Sequence, residues 1–403
     1  MQAFRYGAPT ELVYGAGSVA RTGEEIARLG GSRVLLVTDT GLARAGVADT
    51  VAAALSGTAG VTFAGTWDAV PQDPTFTDVE SLVAEVRAAD ADTVVSLGSG
   101  SVLAAGRSAA VCATSDRSVA QVARGGADGE RTLLSVAVPT TAGSGGEVSR
   151  QATLTDDETG EKSGVRGWPV AARLAVLDPE LLVSVPRGQA IASGIDAMVH
   201  ALEAYWSNRA TLITDALARP SFTILMKDLV PSIETRDVDV LGRMLVASTM
   251  ANLACGNAGL GLVHGLNKGV TGLAHATGYP SHSYGMLHGV LLPWVTEFNI
   301  PAAAGRLADL AADLGVHDPQ TQSAETGAHL LLEEITRWLS ELGAPTYLDW
   351  PDATEKDLDF VAKDTAGRAM WKDNPRRATE EELVELTRKS LTSWTAHDWS
   401  THA

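Results

Sequence analysis

Cysteine is nearly absent from this chain of 403 residues, and the only two, Cys112 and Cys255, can form neither a disulfide framework nor the paired spacing of a thiolate metal site. Both read as small buried side chains. No Lys/Arg-rich run occurs: 31 basic residues stand against 49 acidic ones, a net charge of −18, so neither nucleic acid nor an anionic membrane is an expected partner. No stretch approaches the ~18 uninterrupted apolar residues of a membrane span, and the opening MQAFRYGAPTELVYG lacks the apolar core of a signal peptide. The expected setting is the cytoplasm. Internal repeats and low-complexity linkers are also lacking, which leaves a globular chain long enough for two domains.

Hydrophobic periodicity divides the chain. From Arg33 to about Pro186, short β-branched runs alternate with amphipathic stretches: VLLVTD (34–39), VTFAG (61–65), DTVVSLG (92–98), LLSVAVP (133–139) and LAVLDP (174–179). This alternation predicts an α/β domain with a parallel sheet and helices on its faces. Beyond Pro186 strand-like runs largely vanish and a 3.6-residue period dominates, as over 188–205, 211–230, 238–254, 324–342 and 378–392. We therefore expect a Rossmann-like domain over 1–186 and an all-helical domain over 187–403.

Two glycine turns compete to cradle a dinucleotide. Gly15-Ala16-Gly17-Ser18 follows a short strand and opens a helix with the right spacing. Gly98-Ser99-Gly100-Ser101 follows the wholly apolar run TVVSL, so a buried strand delivers glycines and free N–H groups to a helix N-terminus, where pyrophosphate is favoured. A further turn with hydroxyls, containing Thr140, Thr141 and Ser144, suits phosphate and ribose. Asp39 closes the strand VLLVTD, where a carboxylate can accept bonds from ribose hydroxyls and repel a 2′-phosphate; its alternative role is a helix cap. Asp39 favours NAD over NADP.

In the helical half, SGIDAMVHALEAYW sets Asp196 and His200 at i and i+4, on one helix face. His264 and His288 lie in separate apolar, glycine-flanked contexts. One carboxylate and three imidazoles form a borderline N/O set suited to Fe2+ or Zn2+. His275 and His282 are rival ligands on chemistry alone, and His275 is also a catalytic candidate. Lys268, one turn beyond His264 if GLVHGLNKG is helical, is the other: a cation facing the metal calls for a substrate bearing a carboxylate, phosphonate or sulfonate, and its alternative role is a lysine turned to solvent or paired with an acidic residue.

Taken in order, VYGAGSV, VTDTGL, the GSGS turn, VPTTAGSGGEVS, AVLDPELL, SGIDAMVHALEAYWSNRATLITDAL, CGNAGLGLVHG, HGVLLPWVTEFN and DNPR resemble the iron-containing (group III) alcohol dehydrogenase family almost end to end. The resemblance implies the dehydroquinate-synthase-like fold, a homodimer or larger homo-oligomer, pyrophosphate on Gly98, Ser99, Gly100 and Ser101, and metal on Asp196, His200, His264 and His288. Ser149, Gln151 and Lys162 join the expected cofactor contacts, and the Gly15 turn becomes structural. The chain departs from the family pattern in three places. Ser99, Ala104 and Arg107 stand where the glycine turn usually carries Gly, Asp and Lys; 23 residues separate His264 from His288; and Lys268 stands where many members have histidine. The implied activity is NAD-linked dehydrogenation of a small alcohol or reduction of an aldehyde. The alternatives are a lyase of the dehydroquinate-synthase kind and a hydroxyacid-oxoacid transhydrogenase; a non-enzymatic metal- or nucleotide-binding protein fits the donor set least.

Overall fold

The structure, a computed structural model, describes residues 3–368, 370–397 and 399. Its contacts divide into two compact units. One comprises Gly7–Pro186 with Thr235–Thr249, the other Met1–Tyr6, Arg187–Glu234 and Met250–Ala403.

The first unit is built on a six-stranded parallel sheet. Its strands are β1 (Glu11–Tyr14), β2 (Arg33–Val37), β3 (Thr62–Trp67), β4 (Thr93–Gly98), β5 (Leu134–Pro139) and β8 (Leu174–Leu177), in the order β1-β8-β5-β4-β2-β3. Because side chains alternate along a strand, β2 feeds two cores. Val34 and Leu36 pack with Val95, Leu97, Val136 and Val138 under α1 (Thr22–Arg28) and α3 (Val47–Ser56). Leu35 and Val37 pack on the opposite face beneath α4 (Phe76–Ala88), α5 (Gly100–Cys112) and α6 (Val119–Gly125). Burial on both faces explains the continuous apolar runs. The short α2 (Thr40–Arg44) follows β2 directly. An antiparallel hairpin, β6 (Gln151–Thr155) with β7 (Lys162–Arg166), was not legible as strand: QATLT and KSGVR are small and polar, and pairing rather than apolar content defines them.

Strand order reverses between β2 and β4, since β3 continues to one side and β5 to the other. In an open parallel sheet that reversal leaves a crevice at the carboxyl ends of the two strands, the usual place for a ligand.

The second unit is helical, with α7 (Arg187–Trp206), α8 (Leu212–Thr235), α9 (Val238–Ala258), α10 (Leu262–Thr277), α11 (Tyr284–Leu314), α12 (Ala324–Leu342), α13 (Glu355–Gly367) and α14 (Glu380–Ser390). The last residue of α8, Thr235, and the first half of α9 fall in the other unit. By length and composition α9 could cross a bilayer, but 61% of its apolar window is buried in the fold, as in a core helix. The crossing of α7 and α11 is very close. A Cβ on Gly285 would stand 2.0 Å from the carbonyl oxygen of Ala192, so only glycine fits. One turn farther along each helix stand Asp196 and His288, which this crossing brings face to face.

Candidate metal centre and nucleotide cradle

The four residues read as a donor set converge inside the helical unit. The Asp196 Oδ1 lies 3.1 Å from His288 Nδ1 and 3.8 Å from His264 Nε2. His264 Nε2 in turn faces His200 Nε2 at 3.1 Å. One donor atom from each of Asp196, His264 and His288 fits within 4.8 Å of the others, and all three residues are buried. Ligands 2.0–2.2 Å from a shared ion lie about 3 to 3.5 Å apart, so the spacing suits a metal. Unmet hydrogen bonding points the same way: Asp196 Oδ1 and both ring nitrogens of His288 are buried with no hydrogen-bond partner among the described residues. Such atoms are costly unless something else engages them. Burial by itself would raise the Asp196 carboxyl, yet His200, His288 and His264 around it hold it well below the ordinary range. Burial, reinforced by His288 and His200, drives His264 far below the usual imidazole value, leaving it neutral and able to donate a lone pair.

Within the parallel-sheet unit, three turns meet at the carboxyl edge of the sheet. Val37 pairs with Ser96, the Thr38 hydroxyl donates to Leu97 O at 2.9 Å, Gly98 pairs with Pro139, and Thr140 N–H donates to Gly98 O at 3.1 Å. Asp39, Gly98 to Ser101 and Thr140 are thereby set on adjacent strand ends. Ser99 is the N-cap residue of α5, but its hydroxyl caps nothing. Ser144 leans over the turn, so a Cβ on Gly100 would meet its hydroxyl at 2.7 Å. Open backbone N–H groups and the absence of a Cβ are what a phosphate cradle requires.

Family models match both regions: "Iron-containing alcohol dehydrogenase" over residues 9–179, and "Fe-containing alcohol dehydrogenase family, C-terminal" over residues 190–391. The chain belongs to the iron-containing alcohol dehydrogenase family. It is 30% identical to a 1,3-propanediol dehydrogenase of Klebsiella pneumoniae over 396 residues, covering 96% of this chain and 99% of that protein. It is also 30% identical to an NAD-dependent methanol dehydrogenase of Bacillus methanolicus over 384 residues, covering 95% and 98%. A crystal structure of a 1,3-propanediol oxidoreductase superposes with a TM-score of 0.90 at 30% identity, covering 96% of this chain and all of that one.

Against this family background, the remaining site residues fall into clear groups. Asp178, fully buried, accepts from the N–H groups of Gly17 and Val19 at 3.1 and 3.0 Å, so a protein carboxylate fills the anion position of the Gly15 turn. Asp39 caps α2, its Oδ1 accepting from Leu42 N–H at 3.0 Å. Ser149 bonds its own loop, accepting from Gln151 N–H and donating to Gln151 O. Lys162 is engaged by Asp73 at 2.6 Å and Thr155 at 3.0 Å. Arg107, the departure from the usual lysine, is 2% exposed and donates to the carbonyls of Leu103, Ser149, Val170 and Gln151, tying the Ser149 loop to α5. The Ser101 hydroxyl donates to Gln72 O.

His275 does not reach the donor group. It is exposed and lies about 16 Å farther along α10 than His264, at 1.5 Å per residue. His282 is exposed and its ring stands 3.4 Å from Tyr347 O. The residues between His264 and His288 continue α10 to Thr277 and then form a loop anchored by Tyr279 stacked on Trp350 and by Trp350 Nε1–H donating to Pro280 O.

Three contributors escaped sequence reasoning. Glu203, fully buried, accepts from His264 Nδ1 at 2.7 Å, Gly261 N–H at 2.8 Å and Val263 N–H at 2.7 Å. Asn374, of the DNPR segment, accepts from Leu262 N–H at 3.3 Å and is locked to Asn299 by two reciprocal amide–amide hydrogen bonds. The N-terminus of α10 is thus capped wholly by remote side chains, and His264 sits in its first turn. Tyr284 packs edge-on against His288, ring centroids 4.9 Å apart, and is 37% exposed. Glu203, seven residues after Asp196, shares its helix face, and that spacing was the available signal.

Proposed function

We propose that the protein is a metal-dependent, NAD-linked alcohol dehydrogenase or aldehyde reductase, and that its substrate is small and carries an anionic group. The convergence of Asp196, His200, His264 and His288, with Asp196 Oδ1 and both His288 ring nitrogens buried and without a hydrogen-bond partner among the described residues, carries this reading. These four would hold Fe2+, or Zn2+ in its place, and a metal held there would supply Lewis-acid polarisation of a substrate oxygen. Asp196 contributes the single negative charge of the set, so the centre stays cationic when loaded. Glu203 keeps the His264 proton on Nδ1 and leaves Nε2 free to face the ion.

NAD is assigned to the crevice between β2 and β4. Gly98, Ser99, Gly100 and Ser101 would hold its pyrophosphate, with Thr140, Thr141, Ser144, Ser149 and Gln151 alongside and Asp39 at the adenosine ribose. Lys162 takes part only by giving up its bond to Asp73. The open α5 N-terminus supports this, as does the cofactor in the name of the Bacillus methanolicus relative. A cytoplasmic homodimer or larger homo-oligomer completes the reading.

The test is a panel of short alcohols and aldehydes assayed at 340 nm with NAD(H) after Fe2+ or Zn2+ reconstitution. Metal-dependent net turnover of cofactor is expected. A lyase that turns the cofactor over internally, or a transhydrogenase, would consume substrate without net change in NADH, and that result would reject the proposal.

A further inference from the structure

Lys268 has no hydrogen bond or ion pair of its own among the described residues, although it is half-buried and only one turn beyond His264. Its position on α10 explains the exposure it keeps. At 100° per residue, Lys268 lies about 40° around the helix from His264 and about 60° from Gly265. Gly265 and Gly269 mark the face covered by α13: a Cβ on Gly269 would be 3.0 Å from Val361 O, and the Thr365 hydroxyl donates to Gly265 O at 3.4 Å. Lys268 therefore stands on the seam between the donor face and α13. The end of α13, which packs on this face of α10, carries two more charges, Asp364 in its last turn and Arg368 at its C-cap. They form a bidentate pair, Arg368 Nε to Asp364 Oδ2 at 2.7 Å and Nη2 to Oδ1 at 2.8 Å, which leaves Nη1 without a partner among the described residues. Burial lowers the Lys268 ammonium, with Arg368 adding to that and Asp364 opposing it, and the Tyr284 ring lies against His288.

We infer that Lys268 and Arg368 form a subsite beside the donor group for the anionic end of the substrate, with Asp364 orienting Arg368 and setting the charge the subsite accepts. The inference rests on the proposed function and deepens it. Two cations and one carboxylate leave a single uncompensated positive charge, so the subsite matches one negative charge, as on a carboxylate or sulfonate, better than two. Arg368 supplies a fixed N–H whose direction its pairing with Asp364 sets, and Lys268 supplies a mobile ammonium, so the anion is both oriented and neutralised in a poorly solvated place. No residue of this subsite has to move a proton.

The test uses reconstituted holoenzyme and two aldehydes of equal length, butanal and 4-oxobutanoate. The unmodified enzyme is expected to show at least a tenfold lower KM for the acid. Arg368→Gln and Lys268→Met should each lose at least ten times more kcat/KM on the acid than on butanal, at unchanged metal content. Asp364→Asn, which raises the local charge by one, should shift relative preference toward an aldehyde bearing a doubly charged phosphonate. Equal use of butanal and 4-oxobutanoate, or equal losses on both in the variants, would overturn the subsite while leaving the proposed dehydrogenase intact. If neither aldehyde turns over, calorimetry still decides: butanoate should bind the unmodified holoenzyme more tightly than 1-butanol and lose that advantage in Arg368→Gln, and no such difference would overturn the inference.

Discussion

Replacing Glu203 by Gln changes one atom type and no volume, yet it should weaken the metal site from behind. In the native arrangement Oε2 accepts from Gly261 N–H and His264 Nδ1–H, and Oε1 accepts from Val263 N–H. A glutamine has one acceptor oxygen. With that oxygen in the Oε2 place, its NH2 group confronts Val263 N–H; with it in the Oε1 place, NH2 confronts Gly261 N–H and points at His264 Nδ1. The second orientation turns Nδ1 into an acceptor, moves the ring proton to Nε2 and removes the lone pair that faces Asp196 and His200. Either way a buried donor loses its acceptor, a cost of about 1–3 kcal/mol. Partners that orient a metal-binding histidine are typically worth about 10–100-fold in affinity. We therefore expect Glu203→Gln to raise the metal Kd by about 10–100-fold, or ~1.4–2.8 kcal/mol. Glu203→Ala, which strips all three donors of their acceptor, should lose more, along with thermal stability. The measurement is metal per chain after dialysis against graded chelator, with nitrogen-15 NMR of the histidine rings reporting the His264 tautomer. If Glu203→Gln holds Zn2+ within twofold of the unmodified protein with Nδ1 still protonated, the reasoning fails.

Substituting His264 or His288 by Ala should abolish most bound metal and activity, whereas His275→Ala and His282→Ala should retain both; elemental analysis of the four purified proteins checks this, and full metal in His264→Ala refutes the assignment. The unmodified enzyme should prefer NAD to NADP, and Asp39→Asn, which keeps a helix cap on Leu42 N–H but removes the charge, should erode that preference by tens-fold, ~2 kcal/mol; equal catalytic efficiency with both cofactors at the outset would refute the role of Asp39. Burial, with Arg368 nearby and Asp364 opposing it, lowers the Lys268 ammonium to about 8. Because the cation exists below that value and is lost above it, KM for an acidic aldehyde should rise from pH 7 to 9 while KM for a neutral one stays flat; parallel curves for the two would refute the involvement of Lys268.

Much of this protein is decided by local pattern. Apolar strand runs and the 3.6-residue period after Pro186 specify a parallel α/β unit followed by helices, because burial on two faces and on one stripe leave different marks in a sequence. The i, i+4 spacing of Asp196 and His200 fixes that pair before any folding, and the order of motifs identifies the family. Other features depend on contacts that sequence separation hides. Asp178 fills the Gly15 turn from 161 residues away, a choice between two similar glycine turns that local spacing leaves open. His264 and His288 become partners of Asp196, and His275 does not, because Gly285 lets α11 approach the Ala192 carbonyl and because three turns of α10 carry His275 out of reach. The roles of Glu203 and Asn374 exist only where remote segments meet. A buried carboxylate beside three N–H donors and an amide locked to another amide are relations between surfaces, and only the packed chain brings those surfaces together.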